Sequence, residues 1–248
     1  MSRFTATFYH FIISLAVFVF LAYLIVIVWY PDFFYTIDGG WEGMRIIIGV
    51  DLVLGPLLTL IVFKAGKPGL KFDLVTIALF QASCLLAGIY VVYNERPLFF
   101  VYYEDHFYSA SGDTFLRYNQ LVPDPSEFSD TSPAMVIAKL PDNPIEEANL
   151  RSILFKDGIP LWVYKPSYEL LENHMDQVME GEISLDAIRE RDTKGELDRW
   201  LTAHGGAPEA YAFFPIHARY GSNFIAVRKS DREFIDIVNI PAPISFAD

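Results

Sequence analysis

Ile46-Ile47-Ile48-Gly49-Val50-Asp51-Leu52-Val53-Leu54-Gly55-Pro56-Leu57-Leu58-Thr59-Leu60-Ile61-Val62-Phe63 decides the fold. The run holds one ionisable side chain, Asp51, in an otherwise apolar stretch. A helix of ~20 residues crosses the ~30 Å hydrocarbon layer of a bilayer, so a run of this length reads as a transmembrane helix. Two more runs flank it, Phe11 to Val28 and Leu74 to Tyr93. The connectors are too short to be domains. The expectation is a membrane protein: three transmembrane α-helices over residues 1–96, with spans at about 11–30, 44–63 and 74–93. An α+β extracytoplasmic domain with a mixed or antiparallel sheet follows over 97–248.

Charge divides the chain at the same place. Residues 1–93 carry five basic side chains (Arg3, Arg45, Lys64, Lys67, Lys71) and five acidic ones (Asp32, Asp38, Glu42, Asp51, Asp73). The net charge of −12 therefore lies wholly on the remainder, which is long enough to bury its own core. That acidity argues against nucleic acid, whose binding needs a basic footprint; it suits solubility or a basic partner. The amino terminus with Arg3 and the Lys64–Lys71 loop fall on one side of the membrane, and positive charge favours the cytoplasm. Three spans then put the C-terminal domain outside, periplasmic in a Gram-negative cell. Trp29, Tyr30, Trp41, Tyr90 and Tyr93 lie at the outer ends, where interfacial aromatics are expected. The first run is too long for a signal-peptide core, and Val28-Trp29-Tyr30-Pro31 offers no small-residue cleavage site. The single cysteine, Cys84, lies in the third span, so the outer domain relies on packing alone.

The membrane unit carries more than an anchor needs. Asp51 lies well inside its span, where an ionisable group costs ~2.5–3.5 kcal/mol on insertion scales and should face protein. Ser14, Gln81 or Arg45 are its candidate partners within the unit; a helix from another protein is the alternative. Pro56 beside Gly55 removes a backbone hydrogen bond and should kink the helix. Ala78, Gln81, Ala82 and Gly88 give span three a side of small and polar residues, suited to close helix packing within the unit or to a client helix. Arg96 reads as an interfacial anchor and Pro97 as the breaker that ends span three.

Beyond Pro97 the sequence reads as strands at Leu98–Tyr103 and Ala134–Leu140, and as helices opening at Asp113, Pro144, Ser167, Ser184 and Glu196. The Ser167 helix is expected to run to Gly181, and Gly205-Gly206 to close the last one. Strands at Tyr211–His217, Asn223–Arg228 and Glu233–Val238 form a meander. No catalytic constellation, phosphate loop or dinucleotide fingerprint is present, and the five histidines have no metal-ligand spacing. Glu104-Asp105-His106 reads as a strand-end turn more readily than as a ligand cluster. No cofactor, metal or catalytic residue is expected.

Gly49-Val50-Asp51-Leu52-Val53-Leu54-Gly55-Pro56-Leu57-Leu58-Thr59-Leu60-Ile61-Val62-Phe63, then Lys64-Ala65-Gly66-Lys67, then Glu95-Arg96-Pro97-Leu98-Phe99-Phe100-Val101, resemble the type IV pilin accessory proteins of the TfpX/TfpZ type. The resemblance covers span two through the first outer strand, and the whole layout more loosely. Where the family usually has an aspartate and aromatic pair after that strand, this chain has Asp105-His106-Phe107. The resemblance implies a non-catalytic inner-membrane chaperone or modulator of the major type IV pilin, acting in pilus assembly or piliation. Other pilus-assembly membrane proteins are further candidate partners. Asp51, Gly55, Pro56, Ala78, Gln81, Ala82 and Gly88 are then the candidate partner-binding residues. Two other readings stand beside this one: a membrane-tethered sensor whose outer domain binds a small ligand, and a membrane-embedded enzyme or carrier using Asp51.

Overall fold

The computed structural model describes residues 2–205 and 207–243. It divides into two compact units, residues 1–96 and 97–248. Three helical stretches of the first unit are long and apolar enough to cross a membrane: Arg3–Trp29, Gly40–Val62 and Leu70–Asn94. Each is longer than the apolar run that announced it, because the ends recruit polar residues the hydropathy reading leaves out.

Helix α1 (Arg3–Tyr23) starts on Ser2, whose side chain accepts the Thr5 N–H, and continues as a π-helical segment, Leu24–Trp29. The connector that follows is ordered. A short helix α2 (Phe34–Ile37) buries Phe33, Phe34 and Ile37. Helix α3 (Gly40–Ile47) passes into a second π segment, Ile48–Leu54, and then into α4 (Gly55–Val62). Pro56 has no N–H to donate, and its ring would crowd the carbonyl four residues back. The backbone answers with the wider π turn, in which the Gly55 N–H reaches Val50 O, five residues behind. Where a kink is expected at Pro56, the structure has a register change just before it. Helix α5 (Leu70–Asn94) completes the unit.

The second unit is built on a seven-stranded mixed sheet, in the order β4-β3-β1-β2-β5-β6-β7. Strands β1 (Pro97–Tyr103) and β2 (His106–Ser111) form an antiparallel hairpin; β3 (Ala134–Ala138) lies parallel to β1, and β4 (Tyr168–Leu170) closes that edge. Strands β5 (Tyr211–Ala218), β6 (Gly221–Arg228) and β7 (Phe234–Val238) form the expected meander. It joins the rest where β5 runs parallel to β2. Helices α6 (Gly112–Arg117), α7 (Pro144–Asp157), α8 (Met175–Glu180), α9 (Leu185–Arg191) and α10 (Glu196–His204) connect the strands. Gly158 ends α7 at φ 65°, a left-handed conformation that costs glycine nothing. Gly205 ends α10, while Gly206 lies outside the described residues.

Two expectations are corrected here. Residues 168–170 are strand, and the helix expected from Ser167 is reduced to a 3-10 turn (Leu171–His174) and α8. Pairing with β3 outweighs the helical spacing of Leu170, Leu171, His174 and Met175. Strand β2 was not expected; its partner β1 holds it through a turn at Glu104 and Asp105. Core formation follows from the aromatic content: Phe99, Phe100 and Val101 on β1 are wholly buried, each fully buried side chain of this size being worth ~1.5–3 kcal/mol.

Candidate functional site

Asp51 is the centre of the first unit's interior. It sits in the π segment before α4 and is only 7% exposed. Ser14 Oγ on α1 donates to Asp51 Oδ1 at 3.2 Å, and Gln81 Nε2 on α5 donates to the same oxygen at 3.5 Å. The carboxylate therefore ties all three long helices together. Its other oxygen, Oδ2, is buried with no hydrogen-bond partner among the described residues. Gly55, one turn further on, is what lets Gln81 approach: a Cβ there would fall 1.8 Å from Gln81 Nε2. Pro56 is buried beside it.

A second polar contact lies along the same seam. His10 Nδ1 and Thr59 Oγ1 are 2.6 Å apart, bridging α1 and α4. His10 and Ser14 are one helical turn apart on α1, and Asp51, Gly55 and Thr59 repeat every fourth residue, so each set shares one helix face. The sequence reading left His10 and Thr59 out. Their signal was the matching of two helical periodicities, visible only once the two helices are set side by side.

The candidate residues of the third helix separate. Gln81 points inward, and Ala78 and Ala82 are exposed. Gly88 is half-buried, with open space where a Cβ would stand. At the other end of the unit Tyr30, expected among the interfacial aromatics, is instead buried (1% exposed), and its hydroxyl donates to Val92 O at 2.7 Å. Trp29 and Tyr93 meet edge to face at 5.4 Å. Arg96 donates to Tyr93 O and lies over its ring, 3.7 Å from the centroid, while Pro97 is buried at the start of β1.

The second unit holds a cavity of about 310 Å³ beyond the carboxyl ends of the parallel strands β1 and β3. Tyr102, Glu104, Asp105, Lys139, Arg151 and Gln177 are among its lining residues. Glu104 and Asp105 turn the β1–β2 hairpin with left-handed backbones, φ 48° and 61°. Tyr103 donates to Glu104 at 2.7 Å and Tyr102 to Asp105 at 2.9 Å. Burial and these neighbouring carboxylates push both phenols up, so they remain donors. Lining groups of both signs, in a space of small-ligand size, make it a candidate for a polar molecule.

Taken together, these features define a class: an apolar three-helix unit pinned by an interior carboxylate, joined to a mixed-sheet domain. The chain belongs to the fimbrial assembly protein family. It is 38% identical over 96 residues, 72% of the relative's length and 38% of its own, to the fimbrial assembly protein of serogroups C1 and C2 from Dichelobacter nodosus. Over 244 residues, 94% of this chain and 93% of each relative, it is 28% identical to the serogroup I protein and 27% identical to the serogroup E1 protein of that organism. No family model and no solved structure matches it.

Proposed function

We propose that this protein is an inner-membrane accessory protein, a chaperone or modulator, for the major type IV pilin. In this reading the three long helices cross the membrane, with the N-terminus cytoplasmic and residues 97–248 periplasmic. Pilin is held by the helical unit and the outer domain together, and no chemical step is involved. The observation that carries the reading is the lateral face of α5, whose apolar window is only 11% buried within the chain. Ala78 and Ala82 are exposed on it, small enough to let another helix approach closely. The relatives' names, which speak of fimbrial assembly, support the process but not the partner.

The polar seam has a separate part in this account. Asp51, Ser14, Gln81 and Gly55 are turned inward, so they set the shape of the unit, and the client meets the shape. Crosslinking and co-purification from cells test the division. Ala78→Trp and Ala82→Trp should each abolish capture of pilin while leaving the protein's abundance unchanged, and surface piliation should fall with them. Full capture by both variants would remove the helical unit as receptor.

A second reading, a sensor with an outer ligand site, is favoured by the cavity at the ends of β1 and β3. A rise in the full chain's melting temperature with small polar ligands, lost in Arg151→Ala, would support it. No shift across such a panel would remove it.

A further inference from the structure

Strands β2 and β5 join the two halves of the sheet, and they pair only at Phe107 with Ile216 and at Tyr108 with His217. Pro215, with no N–H to donate, immediately precedes the paired residues of β5. On the His217 face of the sheet, the buried residues on either side of the seam form separate clusters. One gathers around Phe99, Val101, Tyr108 and Trp162, the other around Trp200, Phe213 and Phe224. His217 stands at the join. It is 9% exposed, its Nδ1 is 2.8 Å from Ser222 Oγ, and its Nε2 is buried with no partner among the described residues. The His106 ring stacks on it at 5.2 Å, and Tyr108 stacks on it at 5.0 Å.

We propose that the β2–β5 seam is an acid-sensitive hinge, opened when His217 takes up a proton. Among the described residues, Tyr108 and His106 from β2 and Ser222 from β6 face the His217 ring, and the charge that acts on it is that of His106. A protonated His217 has an N–H that meets no acceptor among the described residues and lies against the His106 charge, both of which cost free energy. On the opposite face of the sheet the seam is held by Phe107 against Phe214 and Phe234, with no titratable group in those contacts. Protonation therefore loosens one face and leaves the other as the pivot. Burial, then the His106 charge, pushes His217 down from 6.5 to about 4. A histidine lowered in this way adds stability above its unfolded value and loses it as pH falls from 6.5 towards 4. The hinge is set to open in acid.

Hydrogen exchange of the full chain in lipid nanodiscs, corrected for intrinsic rates, tests this. Between about pH 7.5 and about pH 4.5, amide protection in peptides spanning 106–111 and 211–218 should fall about tenfold, while β1–β3 and β6–β7 stay protected. His217→Gln should flatten the dependence, and His106→Gln, which lifts His217 back towards its ordinary value, should make the loss smaller. Unchanged wild-type protection across that range would overturn the hinge. So would loss shared equally by β6–β7, or an unaltered profile in His106→Gln, which keeps the test decisive should His217→Gln fail to fold.

Discussion

Phe80 on α5 and Phe100 on β1 carry the same side chain and meet opposite fates: 53% of the first is exposed, none of the second. The difference extends to the units around them. In the helical unit Phe4, Phe8, Phe72 and Phe80 point outward, and the interior holds Ser14, Asp51, Thr59 and Gln81 beside apolar side chains such as Leu21, Ile25 and Ile47. In the sheet domain Phe99, Phe100, Phe107 and Phe214 fill the interior, and nearly all the charge lies outside. Water drives the second arrangement, because apolar area removed from it is the main source of folding free energy. It cannot drive the first, which leaves large apolar side chains uncovered along three helices. Close packing and polar contacts between helices are what would hold such a unit in hydrocarbon surroundings, as the proposed membrane placement requires.

The comparison breaks first, if it breaks, at the two phenylalanine classes. Phe99 packs against Phe115, Phe128 and Tyr168 with centroids 5.8, 5.8 and 5.3 Å away. Phe99→Ala should cost about 3–5 kcal/mol of domain stability, read as a large fall in the melting temperature of the sheet unit. Phe80→Ala should stay within about 0.5 kcal/mol in detergent. Equal losses would show that the α5 face is already covered.

The helical unit has its own sensitive point, at a glycine. Gly55→Val should expel the Gln81 amide from beside Asp51 and cost about 2–3 kcal/mol in thermal unfolding of the detergent-solubilised chain. Gln81→Ala should then soften the defect, since the clash and the lost contact share one partner. Additive losses in the double variant would mean that Gly55 answers to something other than Gln81. Tyr30→Phe ranks next. Val92 lies in the last turn of α5, where carbonyls have no partner in the helix, and the Tyr30 hydroxyl supplies one. Its removal leaves that carbonyl buried and should cost about 1–2 kcal/mol. An unchanged melting temperature would put water at Val92.

The helices were legible because an uninterrupted apolar run has few other meanings. So was the meander, from the turn-like Tyr220-Gly221-Ser222 and Lys229-Ser230-Asp231, although β6 already starts at Gly221. The hairpin of β1 and β2 was hidden by its turn. Hairpins of this kind favour Asn-Gly or Asp-Gly, and this one places Glu104-Asp105 at positive φ. The polar cast of His106-Phe107-Tyr108-Ser109-Ala110-Ser111 gave no strand signal of its own. In the candidate site, Asp51 and its partners Ser14 and Gln81 could be read because an acid inside a long apolar run demands explanation. His10 with Thr59 could not, since their meeting depends on the relative rotation of two helices.

A last contrast sets one aspartate against another. Asp51 has one oxygen without a partner, whereas Asp192 has both engaged. Its Oδ1 accepts the N–H groups of Lys194 and Glu196, and its Oδ2 that of Leu197, so it caps the start of α10 from four residues before it. Partial burial opposes ionisation there, but the backbone donors outweigh it and hold the carboxyl below its ordinary 3.8. A carboxylate lowered in this way contributes fully above its unfolded value and loses that contribution as pH falls through the folded one. Asp192→Ala should cost about 1 kcal/mol near neutrality, the usual worth of a helix cap, and the gap from wild type should close in strong acid. If the gap persists below about pH 2, where both carboxyl states are protonated, the side chain acts by packing and not by charge. The likeness to a satisfied cap would then fail, leaving Asp51 and Asp192 to be explained on the same terms.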